Sequence, residues 1–530
     1  MGSDAHFLTF DLPYRRILEY SDMVSPGCIR SLAVVTLNPL QIWIAQSDRR
    51  LYAVLIGLGV GALGGLIGLL VGVFEPVIAI AAVIGALIGL YVITNVQAAL
   101  YALIGVLALV PFGTFPFRIG FTPTLIDGAA GAFLFVYILQ WVTSARREFL
   151  RLTPAHGLIA LYAAWLIISF ALGLRIAPPT STTLRQFAET LLIISLVFVL
   201  VDLIRTPEAL RRLYRLIILA ATVQAIIALG LYALPDAAAE RTLIRLARIG
   251  YPDGGVIRYI EDNPLDDERA IGTFVDPNVL GGFLAICAAL TAPQVFARRP
   301  LLPRWMLWGM MALLGAALFL TYSRAAMLAF AVGLVFVASF KGNRLYFALM
   351  LSAAIAALIL PQTQDYVVRL LDAFQAGDLA TQMRIGEYSD ALRLIQRYPF
   401  TGVGFTGTPE IDLYVDVANM YLIMANQIGL IGVGVFAAAM ISVFAYGASA
   451  WRSARDNLSL RALFIGSHAA LITVLVNGTT DHYFFRLDFQ GSITIFWLTV
   501  SLALVTSRVA RADAPTPQRR PNSSSTSFTA

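Results

Sequence analysis

The chain is poor in charged residues and in cysteine. Only 13% of its 530 residues are Asp, Glu, Lys or Arg, whereas 58% are hydrophobic, and the mean hydropathy is +0.76. A soluble globular protein has about 25% charged residues, so this composition excludes that class and indicates a protein that lies mostly in lipid. Cys28 and Cys287 lie on different segments, and no disulfide framework or metal site follows from them.

Histidine is also scarce, and the common catalytic motifs are missing. The four histidines show no metal-ligand spacing, no glycine-rich phosphate loop follows a strand, and no serine, histidine and aspartate order stands out. The sequence therefore predicts neither a metal nor a cofactor. The net charge is +6, but the arginines form short clusters between apolar runs, which is typical of cytoplasmic loops rather than of a nucleic-acid-binding surface.

Long apolar runs, by contrast, are abundant. A helix needs roughly 20 apolar residues to cross the hydrocarbon core of a bilayer. The expected fold is therefore all-α, a polytopic integral membrane protein with about 12 to 14 transmembrane helices. The candidate helices lie near 51–74, 77–94, 98–111, 125–143, 155–174, 185–204, 216–234, 276–296, 305–322, 325–340, 345–360, 419–447, 462–478 and 489–507.

The clusters of Arg and Lys predict the topology. They comprise Arg49, Arg50, Arg146, Arg147, Arg151, Arg205, Arg211, Arg212, Arg215, Arg298, Arg299, Arg304, Lys341, Arg344, Arg452, Arg455, Arg461, Arg508 and Arg511. These clusters all fall on one side of the alternating helices, and basic residues concentrate on the cytoplasmic side. We therefore expect both termini in the cytoplasm. The outer face then carries the loops 112–124, 175–183, 235–275, 322–324, 361–418 and 481–488.

The predicted parts of the chain differ in composition. Residues 1–48 form a cytoplasmic segment, 49–264 a first group of membrane helices, and 265–507 a second group that contains the loop 361–418. Residues 508–530 form a cytoplasmic tail, and its final part has no apolar stripe to bury, which predicts disorder.

The loop 361–418 is the most informative segment. It is rich in charge and turn-forming residues and is too long for an ordinary connection. Residues 383–398 carry apolar side chains at helical spacing, which predicts an amphipathic helix in the membrane interface that is stopped by Pro399. We expect this loop to handle a substrate outside the bilayer.

Two helices are predicted to begin at the outer face. Asp276 suits the N-cap of one, with Pro277 at its first position and Asn278 next, and Asn419 suits the N-cap of the other, before Tyr421. Because the N-terminus of a helix attracts anions through its dipole and its N–H groups, both starts are candidate sites for a phosphate.

Two arginines on the predicted outer face are candidates for binding an anion. Arg324 lies in a tight turn between two apolar helices, and Arg384 lies on the amphipathic segment. Guanidinium groups bind phosphate bidentately and stay charged. The alternatives are a snorkelling arginine at a helix end for Arg324 and a solvated surface arginine for Arg384.

His482 is the histidine best placed for chemistry. It lies beside Asp481 at the outer membrane surface, and the carboxylate could orient its imidazole or raise its basicity. The alternative is that the aromatic segment around it anchors the protein at the interface.

Several short motifs resemble those of the bacterial O-antigen ligase and polymerase superfamily of membrane glycosyltransferases. They are the segment from Arg269 through Asp276 to Asn278, the segment 321–326 around Arg324, the turn 399–404, and Asn419 followed after nine residues by Gly429-Leu-Ile-Gly432. The resemblance covers roughly 265–500 and implies that 265–507 is the catalytic region.

The resemblance implies a reaction. Members of this superfamily transfer a glycan from an undecaprenyl-diphosphate carrier to an acceptor sugar on the outer face of the bacterial inner membrane. Two arginines, which match Arg324 and Arg384, engage the diphosphate. The ligase motif has a histidine as the base, and here that position is Ala418. His482 is the first replacement for this base and Asp416 the second, while Arg269, Asp276, Asn278, Asn419, Tyr421 and Asp481 are expected to bind substrate.

The missing histidine favours one function over its alternatives. We expect a metal-independent polymerase of O-antigen or exopolysaccharide type in the inner membrane. The alternatives are an O-antigen ligase that acts on a lipid core, and a transporter or flippase of lipid-linked glycans, in which the arginines bind substrate without chemistry. The expected partners are a lipid-linked oligosaccharide donor, a glycan acceptor, the bilayer and a chain-length regulator, but no nucleic acid.

Overall fold

A computed structural model describes residues 89–115, 117, 120–143, 150–260, 263–359, 379–405, 407 and 417–513. The predictions for 1–48, for the spans 51–74 and most of 77–94, for the end of the tail and for much of the loop 361–418 lie outside the described residues. The helices are α1 (Val96–Leu109), α2 (Leu125–Thr143), α3 (Ala155–Gly173), α4 (Ser181–Leu203), α5 (Pro207–Tyr232), α6 (Asp236–Ile244), α7 (Pro277–Val295), α8 (Arg304–Leu320), α9 (Arg324–Ser339), α10 (Leu345–Ile359), α11 (Leu379–Arg397), α12 (Met420–Asp456), α13 (Arg461–Asn477) and α14 (Gln490–Ala512).

The predicted all-α polytopic membrane fold is confirmed. Seven of the described helices, α2, α3, α4, α5, α7, α12 and α14, are long and apolar enough to cross a bilayer, and five apolar helices are shorter. Each span predicted from residue 98 onward coincides with a helix. Two helices run well beyond the apolar run, because helical hydrogen bonding does not stop where hydrophobicity does. Helix α5 starts at Pro207, behind the N-cap Thr206, and α12 continues to Asp456.

The outer loop 235–275 contains structure that the hydrophobic pattern did not reveal. It holds α6 and an antiparallel pair of two-residue strands, β1 (Arg258–Tyr259) and β2 (Glu268–Arg269), in which Arg258 pairs with Arg269. A short 3₁₀ helix, Gly272–Phe274, then leads into α7. These elements are too short to give a periodic signal, but they fix the position of Arg269 beside the start of α7.

Helices α7 and α14 form the centre of the bundle. In each of them 94% of the apolar window is buried. Helix α7 packs against α8, α9 and α13, and α14 packs against α4, α12 and α13. By contrast, only 28% of the window of α2 is buried, and side chains such as Phe135 and Trp141 are exposed. Apolar surface of this extent on a helix is expected where lipid covers it.

The loops with clustered arginines meet at one end of the bundle. Arg211 of α5 donates hydrogen bonds to the carbonyls of Arg299 (3.2 Å), Pro300 (3.0 Å) and Ser459 (3.4 Å). Arg461 donates to the carbonyl of Lys341 at 2.7 Å. The predicted basic loops are therefore neighbours in space, in agreement with their assignment to one face.

The loops assigned to the outer face meet at the other end. Thr114 donates its backbone N–H to Ile249 at 2.7 Å, Arg185 pairs with Asp127 at 2.8 Å, and the turn 399–404 reaches the end of α3. The loop after α13 contacts the start of α12. The functional residues predicted from the sequence lie at this end as far as they belong to the described residues, and we call it the outer end.

Helix α12 is broken at Gly429, which has φ 68° and ψ 177°. The break leaves the carbonyls of Asn426, Gln427 and Ile428 without their usual partners along the helix. Other parts of the chain supply the donors: Val403 N–H binds Asn426 at 2.8 Å, Gly404 N–H binds Gln427 at 2.9 Å, and the Trp165 indole binds Ile428 at 2.9 Å. The three carbonyls that the break frees are thus hydrogen-bonded to the turn 399–404 and to α3.

The turn 399–404 fits the break because of its glycines. Gly402 and Gly404 have φ of 67° and 73°, and a Cβ on Gly404 would lie 2.6 Å from the Cα of Gly173. In return, Leu430 donates its N–H to Pro399 at 2.8 Å. The two glycine motifs that carry the family resemblance, 399–404 and 429–432, are therefore the two halves of one interaction.

The structure predicts that Gly429→Ala destabilises the protein and weakens its activity. A non-glycine residue at φ 68° and ψ 177°, a backbone region that is essentially restricted to glycine, costs roughly 1–3 kcal/mol, and the new Cβ would overlap the carbonyl of Phe400. The matched control is Gly434→Ala on the same helix, because a Cβ there meets nothing within 4 Å. Thermal unfolding in detergent should show a lower midpoint for Gly429→Ala and an unchanged or higher midpoint for the control. Equal midpoints would refute a structural role for the break.

Candidate functional site at the outer end

The site is built around the beginnings of α7 and α12. The side chain of Asp276 accepts hydrogen bonds from the N–H groups of Asn278 (2.7 Å) and Val279 (3.0 Å). That of Asn419 accepts from Tyr421 (2.9 Å) and Leu422 (3.0 Å). Both predicted N-caps are present, and each cap side chain occupies two N–H groups of its helix. That the starts of α7 and α12 bind an anion stays a prediction.

The start of α12 is tied to the loop that follows α13. Met420 donates its N–H to the carbonyls of Gly478 (2.8 Å) and Asp481 (3.0 Å). The Asn419 side-chain amide donates to Thr479 at 2.7 Å. Tyr421 donates its hydroxyl to Leu475 at 2.8 Å, so this side chain links α12 to α13.

The start of α7 is tied to the turn before α9. Arg269 donates from Nε to the carbonyl of Thr321 (2.9 Å) and from its guanidinium to Asn278 Oδ1 (2.8 Å). Tyr322 in this turn has φ 51°, and Ser323 caps α9. Arg324 is thus the first residue of a helix whose entry is held by Arg269.

Helix α11, the predicted amphipathic helix, docks on the residue before Asn419. Glu387 accepts a hydrogen bond from the backbone N–H of Ala418 at 3.0 Å, and Tyr388 donates its hydroxyl to the carbonyl of Ala418 at 3.4 Å. Arg384 lies one helical turn before Glu387, so the docking at Ala418 also places Arg384 at the outer end.

Tyr483 joins the start of α7 to the end of α13. Its hydroxyl donates to the carbonyl of Asn278 (3.1 Å) and accepts from Asn477 (2.6 Å). A Cβ on Gly282 would overlap this hydroxyl, so glycine at that position allows the close approach. The loop 478–489 is consequently fixed against α7 as well as α12.

Asp481 is a buried carboxylate among arginines. Its side chain is 5% exposed, and among the described residues its Oδ2 has no hydrogen-bond partner. The pKa of Asp481 is raised to about 7, mainly because burial and the charge of Asp276 outweigh the lowering effect of Arg384 and Arg269. Arg384, Arg269 and Asp276 therefore act electrostatically on the Asp481 carboxyl.

His482 has an altered basicity. The pKa of His482 is lowered to about 4, mainly by burial and then by the positive charges of Arg486 and Arg384, which outweigh the opposite effect of Asp276 and Asp488. An Arg486 N–H faces His482 Nε2 at 3.4 Å. The expectation of an ordinary imidazole pKa raised by Asp481 is therefore wrong: the imidazole is neutral at pH 7 and no more basic than a carboxylate, whose ordinary pKa is about 4.

The predicted site residues fall into three groups. Arg269, Asp276, Arg384, Asp481 and His482 interact electrostatically within one cluster. Asn278, Asn419 and Tyr421 are hydrogen-bonded into the scaffold around that cluster, and Arg324 begins the adjoining helix α9. Asp416 lies outside the described residues.

Sequence analysis missed Glu387, Asn477 and Tyr483. Glu387 lay within the predicted amphipathic helix, but no sequence pattern shows that its carboxylate reaches Ala418. Asn477 and Tyr483 occupy a segment that reads as an ordinary helix end, although a buried Asn next to a Gly is a signal of close packing. Among the described residues, no group of three or more His, Cys, Asp or Glu side chains could hold a metal ion.

These features define a multi-pass membrane protein with a charged, partly buried site at one end of its helical bundle. Residues 309–437 match the family model described as O-antigen ligase, from α8 through the break in α12. The resemblance to the O-antigen ligase and polymerase superfamily is therefore confirmed. The matched segment contains Arg324, Arg384, Asn419 and Gly429. No curated protein matches the chain.

The raised pKa of Asp481 predicts a pH-dependent stability. Between about pH 4 and pH 7 the folded protein keeps the proton that the unfolded chain loses, so the free energy of unfolding falls as pH rises through this window. Asp481→Asn removes this cost and should therefore raise the unfolding midpoint relative to wild type more at pH 8 than at pH 4. The corresponding difference in the free energy of unfolding is on the order of a few kcal/mol at most. A difference that does not change with pH would contradict a carboxyl pKa near 7. Asp456→Asn, at an exposed position at the opposite end, is the control.

Proposed function

We propose that the protein is an inner-membrane glycosyltransferase that polymerises oligosaccharide units carried on undecaprenyl diphosphate. The observation that carries this proposal is the O-antigen ligase match over 309–437, which contains both arginines predicted to face the donor. Arg384 belongs to a partly buried cluster of opposite charges at the outer end, and Arg324 begins the helix beside it. The basic loops at the opposite end support a cytoplasmic position for that end and an outer location for the site.

The reaction is a substitution at the anomeric carbon of the donor sugar. An acceptor hydroxyl oxygen forms a bond to this carbon, and the bond between the carbon and the diphosphate oxygen breaks. The electron pair leaves with the lipid diphosphate, and the hydroxyl proton passes to a base of the protein. The protein has three tasks: it positions the two substrates, stabilises the charge on the leaving diphosphate and accepts the proton.

The leaving diphosphate is stabilised by Arg324 and Arg384. A guanidinium presents parallel N–H groups that match two phosphate oxygens. Arg384 already acts electrostatically on Asp481 and His482, so a diphosphate there would enter a positive field. Because Asp481 has a pKa near 7, it is partly protonated at neutral pH and opposes the anion less than an ordinary carboxylate would.

Glu387 is the proposed base in place of the missing histidine. The superfamily motif has histidine where this chain has Ala418, and the Glu387 carboxylate lies 3.0 Å from the backbone nitrogen of Ala418. His482 loses its advantage as a base because its pKa is about 4. The absence of the motif histidine also favours polymerisation over ligation to a lipid core.

The role of the arginines predicts a loss of activity on conservative substitution. Lysine keeps the charge but not the planar fork, so Arg324→Lys and Arg384→Lys should each lower transfer roughly tenfold or more, since a hydrogen bond to a charged group contributes about 1.5–3 kcal/mol. The assay follows longer glycans formed by purified protein from lipid-diphosphate oligosaccharide. The control is Arg455→Lys on an exposed side chain at the opposite end. Wild-type transfer by both lysine variants would remove bidentate binding from the mechanism.

The base assignment predicts different effects of two variants. Glu387→Gln keeps a hydrogen-bond acceptor for Ala418 but cannot take a proton, so kcat should fall on the order of a hundredfold with donor binding retained. His482→Ala should lower kcat much less. Glu387→Asp should recover part of the rate, with a changed pH profile. If Glu387→Gln keeps its rate and either His482→Ala or Asp416→Asn shows the large loss, the base is the residue whose variant lost the rate.

A further inference from the structure

A polar cavity lies beside His482 on the side of the loop 481–488. Its volume is about 250 Å³, many times the ~15 Å³ that one water molecule needs. This open cavity is lined by the start of α4, the first half of α12, Phe405 and the segment Phe485 to Asp488. The cluster proposed to hold the diphosphate, which we call the diphosphate cluster, comprises Arg269, Asp276, Arg384, Asp481 and His482. None of these residues lines the cavity.

The chemistry of the cavity suits a sugar. Five of its nine lining side chains are polar: Thr183, Gln186, Gln427, Arg486 and Asp488. The rings of Phe405 and Phe485 contribute an aromatic wall, with centroids 5.9 Å apart. A pyranose has apolar faces of C–H groups that pack on aromatic rings and a rim of hydroxyls that amides, carboxylates and guanidinium groups bind. A prenyl chain would leave these polar groups unpaired.

Gln427 supplies a polar atom that lacks a partner. Its Oε1 is buried and accepts no hydrogen bond from any described residue. Its backbone carbonyl is held by Gly404 N–H (2.9 Å) and by the Ser169 hydroxyl (2.8 Å), so the residue is fixed by the break in α12. A buried acceptor without a donor is costly, and a ligand hydroxyl would satisfy it.

The cavity continues toward a second one. A neighbouring cavity of about 190 Å³ shares Gln186 and Asp488 with it. These two side chains are joined by one exposed hydrogen bond of 3.2 Å, and Asp488 also pairs with Arg486 at 3.0 Å with both side chains partly exposed. Exposed pairs contribute little stability, so ligand hydroxyls can replace them. The two cavities together accommodate an oligosaccharide rather than one sugar.

His482 connects this cavity with the diphosphate cluster. Arg486, which lines the cavity, faces His482 at 3.4 Å, and Arg384 in the cluster lowers the pKa of the same imidazole. A sugar bound beside Arg486 would therefore lie on the side of His482 that faces the cavity, with Arg384 acting on the same imidazole.

We propose that the cavity lined by Gln427, Arg486, Asp488 and Phe405 binds the acceptor glycan. The proposal rests on the proposed function, because an acceptor exists only if the protein transfers a glycan. It assigns donor and acceptor to separate elements: arginines of α9 and α11 for the donor, and α4, α12 and the loop 481–488 for the acceptor.

The test measures acceptor binding separately from transfer. The probe is the oligosaccharide released by mild acid from the lipid-linked glycan of the producing cells, titrated into purified protein in detergent without donor. Gln427→Leu and Asp488→Asn should each weaken its binding roughly five- to tenfold, the size of one lost hydrogen bond. In transfer assays they should raise the KM for the acceptor and leave the KM for the donor unchanged.

The controls distinguish this proposal from the proposed function. Gln140→Leu, on α2 away from the cavity, should leave both KM values unchanged, and unfolding midpoints identify any variant that fails to fold. Unchanged probe binding by both cavity variants, in a protein that performs transfer, overturns the acceptor site alone. A wild-type protein that binds the probe through the cavity but never lengthens a glycan overturns the transferase function and leaves a glycan-binding cavity.

Discussion

The break of α12 at Gly429 is the constraint on which the outer end depends. An unbroken helix would satisfy its own carbonyls, and the turn 399–404 and α3 would have nothing polar to bind. Because Gly429 adopts a left-handed conformation, three carbonyls become acceptors for Val403, Gly404 and Trp165. Backbone that is irregular at membrane depth is tolerated only when buried protein groups satisfy it, as they do here.

The break also makes a short half-helix that serves both proposed subsites. Its beginning, at Asn419 and Met420, is tied to Thr479 and Asp481 and carries the docking point of α11. Its end holds Gln427 against the polar cavity. Since the half-helix is a single rigid element of a few turns, the distance between the donor cluster and the cavity is fixed by its length. A displacement at Gly429 would therefore move both the donor cluster and the polar cavity.

Much of the fold could be predicted from the sequence, because long apolar runs and N-cap residues are local signals. The spans from 98 onward, the caps at Asp276 and Asn419 and the amphipathic helix before Pro399 were all readable in this way. Interactions between distant residues were not. The pairing of 399–404 with Gly429 and the contact of Glu387 with Ala418 depend on tertiary packing, and no periodicity encodes them. The basicity of His482 was predicted wrongly because burial and Arg486 outweigh its sequence neighbour Asp481.

The electrostatics of the site depend on burial as much as on charge. Burial raises the pKa of Asp481 and lowers the pKa of His482, and both shifts favour the neutral form. Near pH 7 the two side chains therefore contribute less charge than their residue types suggest. The arginines are not neutralised in this way, because guanidinium stays protonated. The cluster therefore carries a net positive charge that a diphosphate can balance. As the bond to the sugar breaks, negative charge grows on the diphosphate, and this field stabilises the leaving group more than the intact donor. A site of this kind accelerates the departure of the diphosphate itself, which reduces the strength required of the base and is compatible with a carboxylate such as Glu387 in place of the motif histidine.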